Sequence, residues 1–164
     1  MVASPRYIAV PLEVTVNRPV AEVWNRIGKF CDIRDWLRMP CTILSGKEGE
    51  LGAVRSVGNE VMVGKTEFSY TYTQPVKEGR PYNLYHGTLE ARAVTATTSK
   101  LIYSLIFDNS MLPDDAAREK DKASKAAQFQ GLLQNMKILA EGGTLPPAPA
   151  RSAAPSAAGA TPPR

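Results

Sequence analysis

Between Cys41 and Asp108 the chain divides into about six short strand-forming runs, with gaps too short for a crossover helix. "CTILSG", "GAVRSVG" and "EVMVG" are separated by "KEGEL" and by the turn signal Gly58-Asn59. "TEFSYTYTQ" and "YNLYHGTLEARAV" follow across "PVKEGRP", and "TSKLIYSLIFD" closes the block. Parallel neighbours would need connections of roughly a dozen residues or more, usually helical. The block therefore predicts an antiparallel sheet rather than repeated strand–helix–strand units.

Upstream, "YIAVPLEVTV" puts Leu12, Val14 and Val16 on one side of a strand and Glu13 and Thr15 on the other. Pro11 marks either the start of that strand or an edge position. In "NRPVAEVWNRIGKF", Val20, Val23, Trp24 and Ile27 recur at helical spacing, Pro19 suits the first helical position and Gly28 the end. "CDIRDWLRM" predicts a second short helix. Downstream, Asp114 or Asp115 caps a helix expected from Ala116 to Glu141, about 39 Å long at the usual rise. Its first half is polar, while Phe129, Leu132, Leu133, Met136, Leu139 and Ala140 form a stripe on its second half. A strongly bent sheet folded around this helix buries both apolar faces together and leaves room for a cavity. The expected class is α+β.

Composition narrows the function. From Gly143 onward the sequence has six prolines, seven alanines and no acidic residue, so a flexible or partly extended tail is expected over residues 144–164, after a single domain over 1–143. The formal charge is +4 over 164 residues, and Arg151 and Arg164 in that tail supply two of those charges. No basic stripe interleaved with aromatics remains, which argues against nucleic-acid binding. No signal-peptide pattern and no run of about eighteen apolar residues is present, so a cytoplasmic protein without stable membrane insertion is expected. Cys31 and Cys41 then read as buried thiols. One histidine and two cysteines predict no metal site, and Gly46, Gly49 and Gly52 bracket a strand turn rather than a phosphate cradle, so no cofactor is expected.

Four of the six tyrosines lie between Phe68 and Ala91. Parity puts Phe68, Tyr70 and Tyr72 on one face of their strand. In the next strand Tyr85, Gly87, Leu89, Ala91 and Ala93 share a face, opposite His86, Thr88, Glu90 and Arg92. The lone histidine is thereby expected at the periphery. The tyrosines either fill the sheet–helix core or face a ligand; a buried phenol needs a partner in either case. Tyr82, after Pro81, is placed at a cavity mouth, and Asp35 and Trp36 at one end of the cavity.

The order of "RPVAEVWNRIGKFCDIRDW", "GELGAVRSVG", "YTYTQ", "YNLYHGTLEA" and the terminal helix resembles the START-like, Bet v 1-like (SRPBCC) superfamily, especially its polyketide cyclase/dehydrase and lipid-transport branch. The resemblance covers roughly Tyr7 to Gly143. It implies a helix-grip fold, a seven-stranded antiparallel sheet wrapped around the C-terminal helix with two short helices after the first strand. It places Tyr70, Tyr72 and Tyr85 inward, Arg55 at the arginine of the "G-x-V-R" strand, and a carboxylate at Glu60. The short connection from Glu60 to Tyr70 departs from the usual pattern, so Glu67 competes for that carboxylate position.

Arg55 could clamp a ligand oxygen or pair internally with either glutamate. Phe129, Leu133 and Met136 are expected to serve both as core and as cavity wall. The resulting expectation is binding or carriage of a small hydrophobic or aromatic ligand. The alternatives are a cyclase/dehydratase in which Glu60 or Glu67 moves a proton, and a small regulatory or partner-binding module. A homodimer stays among the possible assemblies.

Overall fold

A computed structural model describes residues 4–80 and 82–147. Its elements are β1 (Tyr7–Val16), α1 (Val20–Ile27), α2 (Ile33–Leu37), β2 (Ile43–Ser45), β3 (Val54–Arg55), β4 (Glu60–Thr66), β5 (Ser69–Thr73), β6 (Tyr85–Ala93), β7 (Ser99–Asp108) and α3 (Asp115–Ala140). The seven strands form one antiparallel sheet in the order β1-β7-β6-β5-β4-β3-β2. The chain thus has the expected helix-grip architecture.

Pro11 lies within β1, not at its start, and is tolerated because β1 is an edge strand paired only with β7. β6 alternates buried and half-buried residues from Tyr85 to Ala91, matching the parity that separates its two faces. β4 continues through Gly64-Lys65-Thr66 after an irregularity between Met62 and Gly64, so the hairpin turns at Glu67 and Phe68 rather than at Gly64. Such a bulge also adds twist and curvature, as a wrapped sheet requires. Gly58 and Asn59 both adopt positive φ in the β3–β4 turn, where left-handed backbone favours these residue types.

Asp114 caps α3, its carboxylate accepting from the Ala117 N–H at 2.7 Å. The buried side of that helix is Phe129, Leu133, Met136 and Ala140, packed over β1 and β7. Pro19 caps α1 rather than occupying its first turn, and Gly28 ends it. Arg38, in the left-handed region, ends α2 and turns the chain back.

That reversal corrects the reading of the cysteines. Cys31 and Cys41 are joined in a disulfide across a separation of ten residues, with Cα atoms 5.4 Å apart. Two buried thiols were expected from the anticipated cytoplasmic context and a count of only two cysteines, and nothing in the local sequence reveals how sharply α2 folds back. The tail expected from residue 144 lies, from 148 onward, outside the described residues; Pro146 still touches the body, its carbonyl accepting from Arg38 Nη2. Among the described residues no helix is long and apolar enough to cross a membrane.

Candidate functional site

The β3–β4 hairpin builds the centre of the site. Arg55 and Glu60 are directly opposed in its register, and both side chains point into the curl of the sheet. Arg55 is fully buried; its Nε donates to Glu60 Oε2 at 2.6 Å and its Nη1 to the Phe30 carbonyl at 2.5 Å. Nη2 lies 2.5 Å from the same Glu60 oxygen but off the hydrogen-bond line, and so has no aligned acceptor. Three rings surround the guanidinium, with centroids 4.2 Å (Phe30), 4.9 Å (Tyr72) and 5.6 Å (Tyr70) from Cζ. Burial acts to lower the Arg55 pKa, but the Glu60 carboxylate paired with it counters that, and the pKa stands raised, so the group stays charged. The second Glu60 oxygen accepts from Gln74 Nε2 at 2.8 Å, so both carboxylate oxygens are occupied. Glu67 sits on the exposed hairpin turn, away from this pair.

The ion pair stands between two recesses. An inner hollow of about 150 Å³ lies beneath α2 and α3, walled by Ile33, Trp36, Leu37, Phe129 and Leu132 and by the polar edge of Glu60, Tyr72, Tyr85 and Tyr103. An outer cleft of about 380 Å³ opens between α1 and the β4–β5 hairpin, floored by Phe30, Met62 and Tyr70, with Trp24 on its wall and Lys29, Glu48, Lys65 and Glu67 at its rim. Tyr70 and Tyr72 are neighbours in parity, yet they serve different recesses. The Tyr70 hydroxyl turns toward Arg55 Nη1, at 3.4 Å.

Tyr72 reaches the inner hollow for a reason visible in the register. It is opposite Gly87, whose missing side chain lets the Tyr72 ring lie across β6. Its hydroxyl then meets that of Tyr103 on β7 at 2.9 Å. Tyr103 is a site residue missed by the sequence reading, although its alternation with Leu101, Leu105 and Phe107 could have found it. Burial is the main cause that raises the pKa of Tyr70, Tyr72, Tyr85 and Tyr103, so all four are neutral donors at ordinary pH. Among the described residues the Tyr85 hydroxyl has no hydrogen-bond partner. Trp36 Nε1 is buried without an acceptor.

The remaining candidates are spread around these recesses. Phe129 lines the inner hollow, its ring 4.8 Å from that of Tyr103. Leu133 and Met136 are wholly buried in the layer beneath and touch neither recess. Tyr82 is bound to the polar half of α3, donating to Asp121 Oδ1 at 2.8 Å beside Lys125. The i,i+4 spacing of Asp121 and Lys125 looked like an ordinary solvated face, and only the fold brings Tyr82 to them. Asp35 pairs with Arg26 at the surface, and His86 is half-buried on the face opposite Tyr85.

The fold that frames these recesses is shared with solved structures. A protein from Thermobifida fusca solved by NMR superposes with a TM-score of 0.67 at 21% identity, over 84% of this chain and 97% of that one. The Zhui aromatase/cyclase from Streptomyces sp. R1128 gives 0.62 at 18%, over 85% and 100%. Norcoclaurine synthase from Thalictrum flavum, in complex with dopamine and hydroxybenzaldehyde, gives 0.58 at 9%, over 83% and 87%. The fold is Bet v 1-like. No protein-family model matches the sequence, and no curated protein matches it. In this Bet v 1-like chain the space between sheet and terminal helix is largely closed by rings, and the inner hollow is what remains of it.

Proposed function

We propose that the chain binds and carries a small hydrophobic or amphipathic molecule in the inner hollow, within a ligand-binding unit spanning residues 1–143. The observation that carries this reading is the Tyr85 hydroxyl, which has no hydrogen-bond partner among the described residues and belongs to a wall shared with Trp36, Leu37, Phe129 and Leu132. A buried donor left unpaired costs about 1–3 kcal/mol, which a ligand oxygen would recover. A hollow of about 150 Å³ is of the size that accommodates a benzene-sized molecule. Drug-sized ligands occupy about 300–1,000 Å³. The best-fitting occupant is therefore a single ring or short branched chain bearing an acceptor oxygen. Norcoclaurine synthase, solved with hydroxybenzaldehyde, supports a ligand of that size in this kind of fold.

A cyclase- or dehydratase-like reaction is the second reading, supported by Glu60 on the hollow's wall and by likeness to an aromatase/cyclase. Both Glu60 oxygens are engaged by Arg55 and Gln74, which favours carriage over proton transfer.

Titration with 4-hydroxybenzaldehyde, followed by calorimetry, tests the proposal alongside native mass spectrometry of the protein as expressed. Saturable one-to-one binding is expected, weakened about three- to tenfold by Tyr85→Phe through loss of one hydrogen bond. Absence of any retained compound, together with no saturable binding of a single-ring phenol, would sink the carrier reading.

A further inference from the structure

The Cys31–Cys41 bond encloses α2 completely. Cys31 stands just before the helix cap Asp32, and Cys41 follows two residues ahead of β2. A five-residue helix is far too short to be stable alone. Its other polar ties are slight, Asn135 Nδ2 donating to the Trp36 carbonyl at 3.0 Å and Asp35 making an exposed pair with Arg26, while Ile33 and Trp36 bury their side chains in the core. Yet α2 provides Ile33, Trp36 and Leu37, one whole wall of the inner hollow. Phe30, the residue before Cys31, also caps Arg55 with its carbonyl and its ring. Beside that packing, one covalent link fastens both the wall of the hollow and one side of the partition that separates it from the outer cleft.

We propose that Cys31–Cys41 is a thiol–disulfide exchange site whose opening frees α2 and unlatches the inner hollow; the second half rests on the carrier reading. Cys31 is the more accessible of the two, half-buried where Cys41 is buried. The thiolate of a dithiol reductant attacks Cys31 Sγ, the S–S bond breaks, and Cys41 Sγ leaves as a thiolate and takes up a proton. The second thiol of the reductant then attacks the mixed disulfide, releases the Cys31 thiolate for protonation, and leaves the reductant as a disulfide. Two electrons and two protons have passed to the protein. Where a reductant of this kind is present, disulfides are usually transient and redox-responsive rather than permanent.

Hydrogen exchange of the full chain, oxidised and after dithiothreitol, provides the test, with stopped-flow release of 4-hydroxybenzaldehyde measured in parallel. Reduction is expected to accelerate amide exchange over residues 31–41 by about tenfold or more, as local opening, while α3 and the sheet keep their protection. Probe release should accelerate by a similar factor. Oxidised glutathione should restore the slow state in the native chain and leave the Cys31→Ser/Cys41→Ser double variant fast throughout. Should that variant fail to fold, the reduced native chain decides alone. Unchanged exchange over residues 31–41 would overturn the proposal, as would an equal loss of protection everywhere, which marks a mere staple. Probe binding in neither state counts against the carrier reading instead, while the exchange data still decide whether the bond governs α2.

Discussion

The outer cleft is more than twice the size of the inner hollow, yet the smaller recess is the better candidate site. The cleft's floor is made of rings whose polar ends point away from it: the Tyr70 hydroxyl turns to Arg55, and the Phe30 carbonyl does the same. Lys65 is bonded to the Gly49 carbonyl and Glu48 to the Phe30 N–H. Among the described residues, no buried polar atom in the cleft's wall lacks a partner. The hollow has the reverse character. Its volume is small, but the unpaired Tyr85 hydroxyl stands on the wall of a ligand-sized space. Volume measures how much surface a visitor could cover; unsatisfied donors decide which visitor is worth desolvating.

The largest effect that could break this contrast is alkaline unfolding. Tyr70, Tyr72, Tyr82, Tyr85 and Tyr103 are all held above the ordinary phenol value, with burial the leading cause. In the unfolded chain these protons leave near pH 10, and in the folded chain only at higher pH. Above about pH 10 the unfolded state therefore binds fewer protons, and stability falls as pH rises through the raised values. Phenolate absorbance and loss of circular dichroism should rise together in one step for these rings. Gradual ionisation with the fold intact would show that the phenols are wet, and the hollow would lose its distinction from the cleft.

Next in size is removal of the partition. Arg55→Met leaves the Glu60 carboxylate buried without its counter-ion, and the expected loss is about 3–5 kcal/mol by urea denaturation. The Arg55→Met/Glu60→Leu double variant should recover most of that loss, because an apolar pair of similar volume is often tolerated. A single-variant loss below about 1 kcal/mol would mean that water already reaches the pair from one of the two recesses.

The frame of the molecule was readable from sequence because it follows short-range rules. Alternation in β6, the cap at Asp114 and the stripe Phe129–Ala140 each depend on neighbours a few residues away. The site was less readable because its decisive contacts cross the sheet. Tyr72 meets Tyr103 over Gly87, and Tyr82 meets Asp121 across the joint between sheet and helix. Glu67 looked equivalent to Glu60 until the bulge after Met62 lengthened β4 and carried the hairpin turn to Glu67. The paired cysteines escaped for a related reason: the backbone reversal at Arg38 that brings them together is set by how α2 packs.

The finest comparison uses two glycines, one beneath each recess. A Cβ at Gly87 would overlap the ring and hydroxyl of Tyr72, and one at Gly28 would overlap the ring and the backbone carbonyl of Trp24. The collisions look alike, but the rings differ in freedom. Tyr72 is locked by its bond to Tyr103 and is almost fully buried, while Trp24 is half-buried at the cleft and has solvent to move into. Gly87→Ala is expected to cost about 1–3 kcal/mol through overpacking and to weaken binding of 4-hydroxybenzaldehyde. Gly28→Ala should cost a similar amount, because the Trp24 carbonyl cannot move aside as its ring can, but leave that binding unchanged, since only the cleft is disturbed. Equal losses of binding in the two variants would mean that the partition transmits strain freely, and that hollow and cleft act as one recess.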